Sequence, residues 1–364
     1  MKKVLALILS LALIAALAVG CAPKPTEPAV SPDASDPTPP EAGGTLTLYT
    51  WEGMFPEEII AGFEAETGIT VNYAVFDTDE TMLTKLETAK GGDYDLVIAD
   101  DYIIELAVGA GLVQKLDKSK LSNYGNINPI YQGQFYDPAD EYTVPYGAGV
   151  QTIVFDPNFV DIPVSGYADL LDPSFKDSVG VIGNYRVING LALKILGYSY
   201  NTENLDEIDA AGAKLLELAP NIRVIKDDSL ENDLISGEIT AAVMYTSQVT
   251  AALLERPDLA VVYPAEGIGF GVMGSFIPSQ APNAEAAYKF LDYILDAQRG
   301  AECFEWLGYY STFSASDAYI SDEYKPFLTL PAEFGETEMI GNVSDEALQK
   351  HELIWTAFRD AAGK

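Results

Sequence analysis

From Thr45 onward, short apolar runs alternate with stretches whose apolar residues recur at helical spacing. Leu46–Trp51, Thr70–Phe76 and Asp95–Ala99 are predicted strands, and Pro56–Thr67, Glu80–Ala89 and Tyr102–Ala110 are predicted helices. Pro56 suits a first helical turn, Asp79 and Asp101 are placed as N-caps, and Gly111 follows the third helix as a stop. The middle of the chain repeats this plan. Gly149–Phe155, Val179–Ile182, Ile239–Tyr245 and Phe270–Ile277 read as strands. Val187–Leu196, Leu205–Leu218, Leu230–Ser236, Ser247–Glu255, Ala284–Asp296 and Asp345–Arg359 read as helices, and no fixed-period repeat is visible. The alternation predicts an α/β protein with a mostly parallel sheet covered by helices. The folded segment exceeds the ~250–300 residues that one core fills, so two α/β lobes joined by crossing strands are expected.

The beginning of the chain has a different pattern. Met1-Lys2-Lys3 precedes an apolar run, Val4–Val19, broken only by Ser10 and followed by Gly20-Cys21. A basic start, a short apolar core and small residues at the end make a secretory signal over 1–20. The run is shorter than the ~20 residues a membrane-spanning helix needs. Ala18-Val19-Gly20-Cys21 resembles the lipobox of bacterial lipoproteins, with Ala18 where Leu is more usual. That resemblance implies a lipid on Cys21 as the mature N-terminus, and so anchoring at the outer face of the cytoplasmic membrane by lipid alone. Residues 22–44 hold seven prolines and no apolar periodicity, as expected of an extended tether. Lipidation of Cys21 leaves Cys303 alone, and its place among Ala301, Phe304 and Leu307 predicts a buried, inert thiol.

Composition narrows the function. Hydrophobic residues make up 48% of the chain, which argues for a packed core despite 55 acidic against 21 basic residues and a net charge of −34. That charge repels polyanions and excludes nucleic acid as a partner. His351 is the only histidine, which argues against Ser-His or Cys-His catalysis, and one His with two Cys cannot supply a conventional zinc site. No cofactor or metal is called for, and a non-enzymatic role is expected. Gly269-Phe270-Gly271-Val272-Met273-Gly274 has the spelling of a dinucleotide loop, but Ser275-Phe276-Ile277-Pro278 continues extended where a helix should follow. These glycines are expected to let a strand and a ligand approach closely. The acid pairs Asp77/Asp79, Asp100/Asp101 and Asp227/Asp228 are expected by chance in so acidic a chain, and Asp77-Thr78-Asp79-Glu80 lacks a full calcium loop.

Open α/β sheets bind ligands beyond the carboxyl ends of their strands. Those ends carry Trp51-Glu52, Asp100-Asp101-Tyr102, Gly183-Asn184-Tyr185 and Tyr245-Thr246-Ser247-Gln248. Aromatic faces with carboxylates suit a cation. Asp101 reads as a cap, whereas Trp51 and Asp100 are poor candidates for simple burial.

Several runs resemble the spermidine/putrescine-binding protein family, in order from about Thr45 to about Tyr309. They include Leu48-Tyr49-Thr50-Trp51-Glu52, Phe63-Glu64-Ala65-Glu66-Thr67-Gly68-Ile69, Tyr94-Asp95-Leu96-Val97-Ile98, Gly111–Leu121, Tyr142-Thr143-Val144-Pro145-Tyr146 and Leu196-Gly197-Tyr198-Ser199. The resemblance implies the type II periplasmic-binding-protein fold, whose two mixed α/β domains, joined by a hinge, close over a solute and deliver it to an ABC permease. The expected division is lobe 1 over 45–150 and 272–315, and lobe 2 over 151–271 and 316–364. Carried over position by position, Trp51, Tyr102 and Tyr309 match aromatic site residues, Tyr245 replaces a Trp, Met54 a Tyr, and Asp100 a Ser. The family's Asp-x-x-Glu aligns with Asn184 and Val187, and its Trp-x-Asp with Gly271 and Met273. Three amine-binding acids are therefore absent, with Asp100 and Glu52 as replacements.

The expected protein is a monomeric, lipid-anchored receptor for a mono- or dicationic amine. Its expected ligand-binding residues are Trp51, Glu52, Asp100, Tyr102, Asn184, Tyr245, Gln248, Met273 and Tyr309. A neutral or zwitterionic solute held by Arg186, and a two-carboxylate hydrolase, are the alternatives.

Overall fold

The computed structural model describes residues 43–331 and 335–364, so the signal segment, Cys21 and the tether up to residue 42 lie outside the described residues. The first part of the chain forms β1 (Thr45–Thr50), α1 (Glu57–Thr67), β2 (Thr70–Val75), α2 (Asp79–Thr88), β3 (Leu96–Ala99), α3 (Asp101–Gly109) and β4 (Thr143–Phe155). Next come β5 (Val179–Val181), α4 (Tyr185–Ile195), α5 (Leu205–Leu218), β6 (Ile222–Ile225), α6 (Leu230–Ser236), β7 (Ala241–Tyr245) and α7 (Thr246–Glu255). The chain continues through β8 (Ala260–Val262), β9 (Ile268–Phe276), α8 (Ala284–Ile294), α9 (Ala297–Leu307), α10 (Lys325–Leu328), β10 (Thr337–Met339) and α11 (Asp345–Ala362).

The strands line up in the order β2-β1-β3-β9-β4-β7-β5-β6, with β10 on β9 and β8 on β4. Pairing is parallel at each end, in β2-β1-β3 and in β7-β5-β6. It is antiparallel where β9 meets β3 and β4 and where β4 meets β7, so the sheet is more mixed than the expected mostly parallel one. β4 pairs with β9 through Thr143–Val150 and then with β7 through Gln151–Phe155. A single strand thus passes from one half of the molecule to the other. It begins six residues before the expected Gly149, and Pro145 is tolerated because the β4–β9 register shifts between Pro145 and Ala148. Gly147, inside that shift, has φ +82°, a conformation costly for any residue with a Cβ.

Two apolar cores flank this crossing. On the first, Leu48 and Ile98 pack with Phe63, Phe290 and Phe304 from α1, α8 and α9, while Ile103, Ile104 and Phe276 fill the opposite face. The second gathers Ile153, Val181 and Val243 with Leu191, Leu215 and Phe358 from α4, α5 and α11. Ala148, Val150, Ile268, Val272 and Tyr310 pack between them at the crossing. Ile320 and Leu328 belong to the first core, so the stretch just after residue 315 does not join the second half as expected. Cys303 is fully buried there, and burial pushes its thiol up to about 12, as expected of an inert cysteine.

Two helix starts differ from the pattern-based expectation. Thr78, not Asp79, caps α2, its Oγ1 accepting from the Thr81 amide at 3.2 Å. Asp100, not Asp101, stands at the cap position of α3. The glycine motif Gly269–Gly274 is part of β9, and its glycines make room for protein side chains: a Cβ on Gly269 would collide with Gln151 Oε1, and one on Gly274 would meet Ile104 Cδ1 at 2.7 Å. The expected close approach is therefore by neighbouring side chains.

Candidate functional site

The carboxyl ends of β1 and β3 build one rim. Asp100 has φ −72° and ψ 157° and makes no side-chain cap bond, so its carboxylate is left to other partners. Its amide donates to Asp79 Oδ1 at 3.4 Å, which brings the two carboxyl groups together. Burial, then the charge of Asp100, hold the Asp79 carboxyl well above the usual range. Burial pushes Asp100 up to about 6, opposed by the Asp79 hydrogen bond and assisted by the charge of Glu80. One proton on Asp79, donated toward Asp100, satisfies both directions. Tyr102 Oη donates to Glu80 Oε1 at 3.0 Å. Trp51 lies with its ring centroid 5.0 Å from that of Phe76, and its carbonyl accepts from Tyr73 Oη at 2.9 Å. Glu52 is exposed beside Tyr73, whose phenol is pushed to about 12 chiefly by burial.

Asp101 has a different job from capping. Its Oδ1 accepts from the Tyr102 amide at 2.8 Å and its Oδ2 from the Val272 amide in β9 at 3.3 Å. It is buried, and it ties the start of α3 to the crossing strand.

The second rim lies at the ends of β5, β6 and β7. Asn184 caps α4, its Oδ1 accepting from Arg186 N at 3.1 Å and Val187 N at 3.3 Å, and its side chain also bonds the Tyr245 phenol. Gln248 is buried, with Oε1 accepting from the Tyr245 amide at 3.2 Å and Nε2 donating to the Asp227 carbonyl at 2.7 Å. Both amides expected to meet a ligand are therefore engaged in shaping the rim. Met273 is buried, its Cε 2.7 Å from where a Cβ on Gly147 would stand. Tyr309 occupies the space over Gly149, its Cδ1 2.8 Å from where that residue's Cβ would be. Burial raises the Tyr309 phenol to about 12, against a hydrogen bond with Ser247 and with help from the charges of Asp100 and Asp227. Tyr245 is raised by burial, then by Asp227, Tyr309 and Asp100. Tyr185 is held at about 12 by burial and by Glu80 on the opposite rim.

The structure thus brings Asp100, Tyr102, Tyr245 and Tyr309 together, with Asn184 and Gln248 behind them. Sequence reasoning missed Asp79, Glu80, Tyr185 and Asp227. Tyr185 stands in the strand-end run Gly183-Asn184-Tyr185 without being among the expected ligand-binding residues, and Asp227 follows the short β6, whose apolar run is too weak to predict a strand. Arg186 is buried, with Nη2 donating to the carbonyls of Tyr200 and Gly341, both at 3.3 Å, and to Asn201 Oδ1 at 3.5 Å. That set of partners binds α4 to the chain beyond β10 and argues against Arg186 as a carboxylate clamp for a zwitterion. His351 is buried against α4, its pKa lowered to about 4 by burial and the Arg186 charge, and remains neutral.

Two α/β lobes, linked by crossing strands and facing each other across aromatic and acidic strand ends, define a solute-binding protein of the type II periplasmic fold. The chain belongs to the bacterial extracellular solute-binding protein family, whose model matches residues 58–330. It is 34% identical over 280 residues to the spermidine/putrescine-binding periplasmic protein of Salmonella typhimurium, covering 77% of this chain and 80% of that one. The protein of the same name from Escherichia coli is 33% identical over 299 residues, covering 82% and 85% of the two chains. Among solved structures, a spermidine/putrescine ABC transporter substrate-binding protein from Streptococcus pneumoniae superposes with a TM-score of 0.77 at 26% identity, covering 88% of this chain and all of that one.

Proposed function

We propose that this protein is the lipid-anchored receptor of an ABC importer, holding a small organic amine in the cleft between its lobes and presenting it to the permease. One observation carries the reading. Asp100, at the end of β3, has no basic side chain within ion-pair distance among the described residues, and its charge acts on the phenols of three tyrosines, Tyr102, Tyr245 and Tyr309. A carboxylate without a basic partner in the neighbourhood of aromatic side chains suits an ammonium group. The named relatives bind spermidine or putrescine, which agrees with this chemistry. The proposed lobes are 45–150 with 272–330, and 151–271 with the segment from 335 onward, hinged where β4 and β9 cross at Gly147. Cys21 is the proposed anchor on the outer face of the cytoplasmic membrane, and the receptor acts as a monomer.

Native mass spectrometry of freshly purified protein tests the reading. A bound small amine, recovered unchanged after denaturation, is the expected result. A chemically altered product would favour a hydrolase, and a bound sugar or acid would overturn the amine assignment.

A further inference from the structure

We propose that Tyr73 and Trp306 are positioning residues of the cleft, which fix the turn Trp51–Met54 and so preset the Trp51 ring before a solute arrives. The proposal rests on Trp51 belonging to the cleft, while neither Tyr73 nor Trp306 is asked to touch the solute. Trp51-Glu52-Gly53-Met54 follows β1, and Gly53, with φ +76°, takes the left-handed conformation that the third residue of a type II turn requires. The Tyr73 hydroxyl stands at both ends of this turn. It donates to the Trp51 carbonyl at 2.9 Å and accepts from the Met54 amide at 3.0 Å. Between them the Gly53 carbonyl accepts from Trp306 Nε1 at 2.6 Å, and the Met54 carbonyl accepts from Tyr146 Oη at 2.9 Å. Four backbone polar groups in one turn are thus held by three side chains, from β2, α9 and β4.

The same contacts reach the Trp51 ring and a second aromatic of the cleft. Tyr73 lies in β2 and Phe76 just beyond it, so one segment grips the Trp51 backbone through the phenol and packs its ring against Phe76, centroids 5.0 Å apart. Trp306 is 56% exposed. An indole so placed could give its N–H to water, yet it reaches across to the turn. It stands in the last turn of α9, which is capped by Gly308, and the Gly308 carbonyl accepts from Thr250 Oγ1 of α7 at 2.8 Å. Tyr309 follows directly. The Trp306 bond therefore ties the turn that carries Trp51 to the helix end that carries Tyr309. A ring already ordered in the free protein spares the solute the cost of ordering it, which for one side chain is about two- to tenfold in affinity.

Fluorine NMR of the purified protein labelled with 5-fluorotryptophan tests this, because the chain has three tryptophans, Trp51, Trp306 and Trp355, whose lines are assigned by replacing each with Phe. Tyr73→Phe keeps the ring and removes both bonds of the hydroxyl. In the ligand-free protein it should broaden or split the Trp51 line and leave unchanged the line of Trp355, which packs on the second core. By isothermal titration with 1,4-diaminobutane the variant should bind about two- to tenfold more weakly than the wild type, and saturation with the diamine should sharpen the Trp51 line again. Trp306→Phe, which removes only the Gly53 bond, should show the same effects to a smaller degree, and it carries the test if a disturbed Trp355 line shows that Tyr73→Phe has not folded. If the Trp51 line is unchanged, or if it broadens with no loss of affinity, the positioning role falls while the amine site stands. If no amine binds the wild type, the reading of the cleft falls, and the Trp51 line of the ligand-free variants still decides whether Tyr73 and Trp306 order the ring.

Discussion

Removing the charge of Asp100 should change both the strength of amine binding and its dependence on pH. Burial and Glu80 hold this carboxyl at about 6, while an alkyl ammonium stays protonated until well above pH 9. Only the ionised carboxylate attracts the ligand, so binding must weaken as pH falls through 6. At pH 5 about one carboxyl in ten is ionised, against nearly all at pH 7.5, so the apparent Kd should rise about tenfold between them. Its carboxyl neighbours Asp79 and Asp101 are themselves held well above the usual carboxylate range by burial and by the charge of Asp100, the phenols of Tyr102, Tyr185, Tyr245 and Tyr309 stay neutral, and Arg186 stays charged. Asp227 is also held above its ordinary range, first by burial and against the hydrogen bond from the Gly183 amide. Asp100→Asn preserves shape, and losing a charged hydrogen bond worth ~1.5–3 kcal/mol should weaken binding about ten- to a hundredfold at pH 7.5. Isothermal titration of 1,4-diaminobutane at pH 5, 6 and 7.5 reads both effects. A variant that retains the full wild-type slope would refute the assignment of the titration to Asp100.

Asp101→Asn should lower stability by about 1–3 kcal/mol in urea unfolding, because one of two backbone N–H groups now held by the carboxylate would face an amide donor. Affinity per folded molecule should change little, and an undiminished midpoint would contradict the bracket between α3 and β9. Gly149→Ala places a Cβ 2.8 Å from Tyr309 Cδ1 and should displace that ring, weakening amine binding severalfold in titration; unchanged affinity would remove Tyr309 from the site. Asp79→Asn should raise the melting temperature at pH 7.5 and make no difference near pH 4. A carboxyl with a raised folded-state pKa costs stability only above its unfolded value, a cost the amide does not carry. Cys21→Ser should abolish lipid labelling and leave the protein unprocessed or released from membranes, and a variant still labelled and anchored would exclude lipidation at that residue.

Much of the frame could be read from apolar spacing. Leu205–Leu218 and Leu230–Ser236 are helices with the expected bounds, because each has a polar cap position before it and a clear apolar face. The caps of α2 and α3 were each misplaced by one residue for a shared reason. Thr78-Asp79 and Asp100-Asp101 both offer two capping residues in a row, and spacing cannot tell which turns outward. Trp51 and Asp100 were legible as strand-end residues, because the apolar runs of β1 and β3 stop beside them. Asp227 was not, because β6 has four residues and three of them are only partly buried, so it lacks the apolar run that marks a strand. Asn184 and Gln248 show the opposite difficulty: both stand at a rim, and only their hydrogen bonds reveal that they hold it together.

The path of the chain through its two cores has a consequence for the order of folding. β9 completes the sheet beside β3, and α8 and α9 cover the first core, so a half that begins at Thr45 is unfinished until residues near Leu328 are available. The second core is sealed by Ala347, Ile354 and Phe358 of α11, within twenty residues of the C-terminus. Neither half can close on a nascent chain that lacks its last part, and the long loop closures should make folding slow compared with a protein of local contacts. A chain shortened before Asp345 should therefore expose the face of α5 that α11 covers and lose the second half, while the first half keeps every segment of its own core.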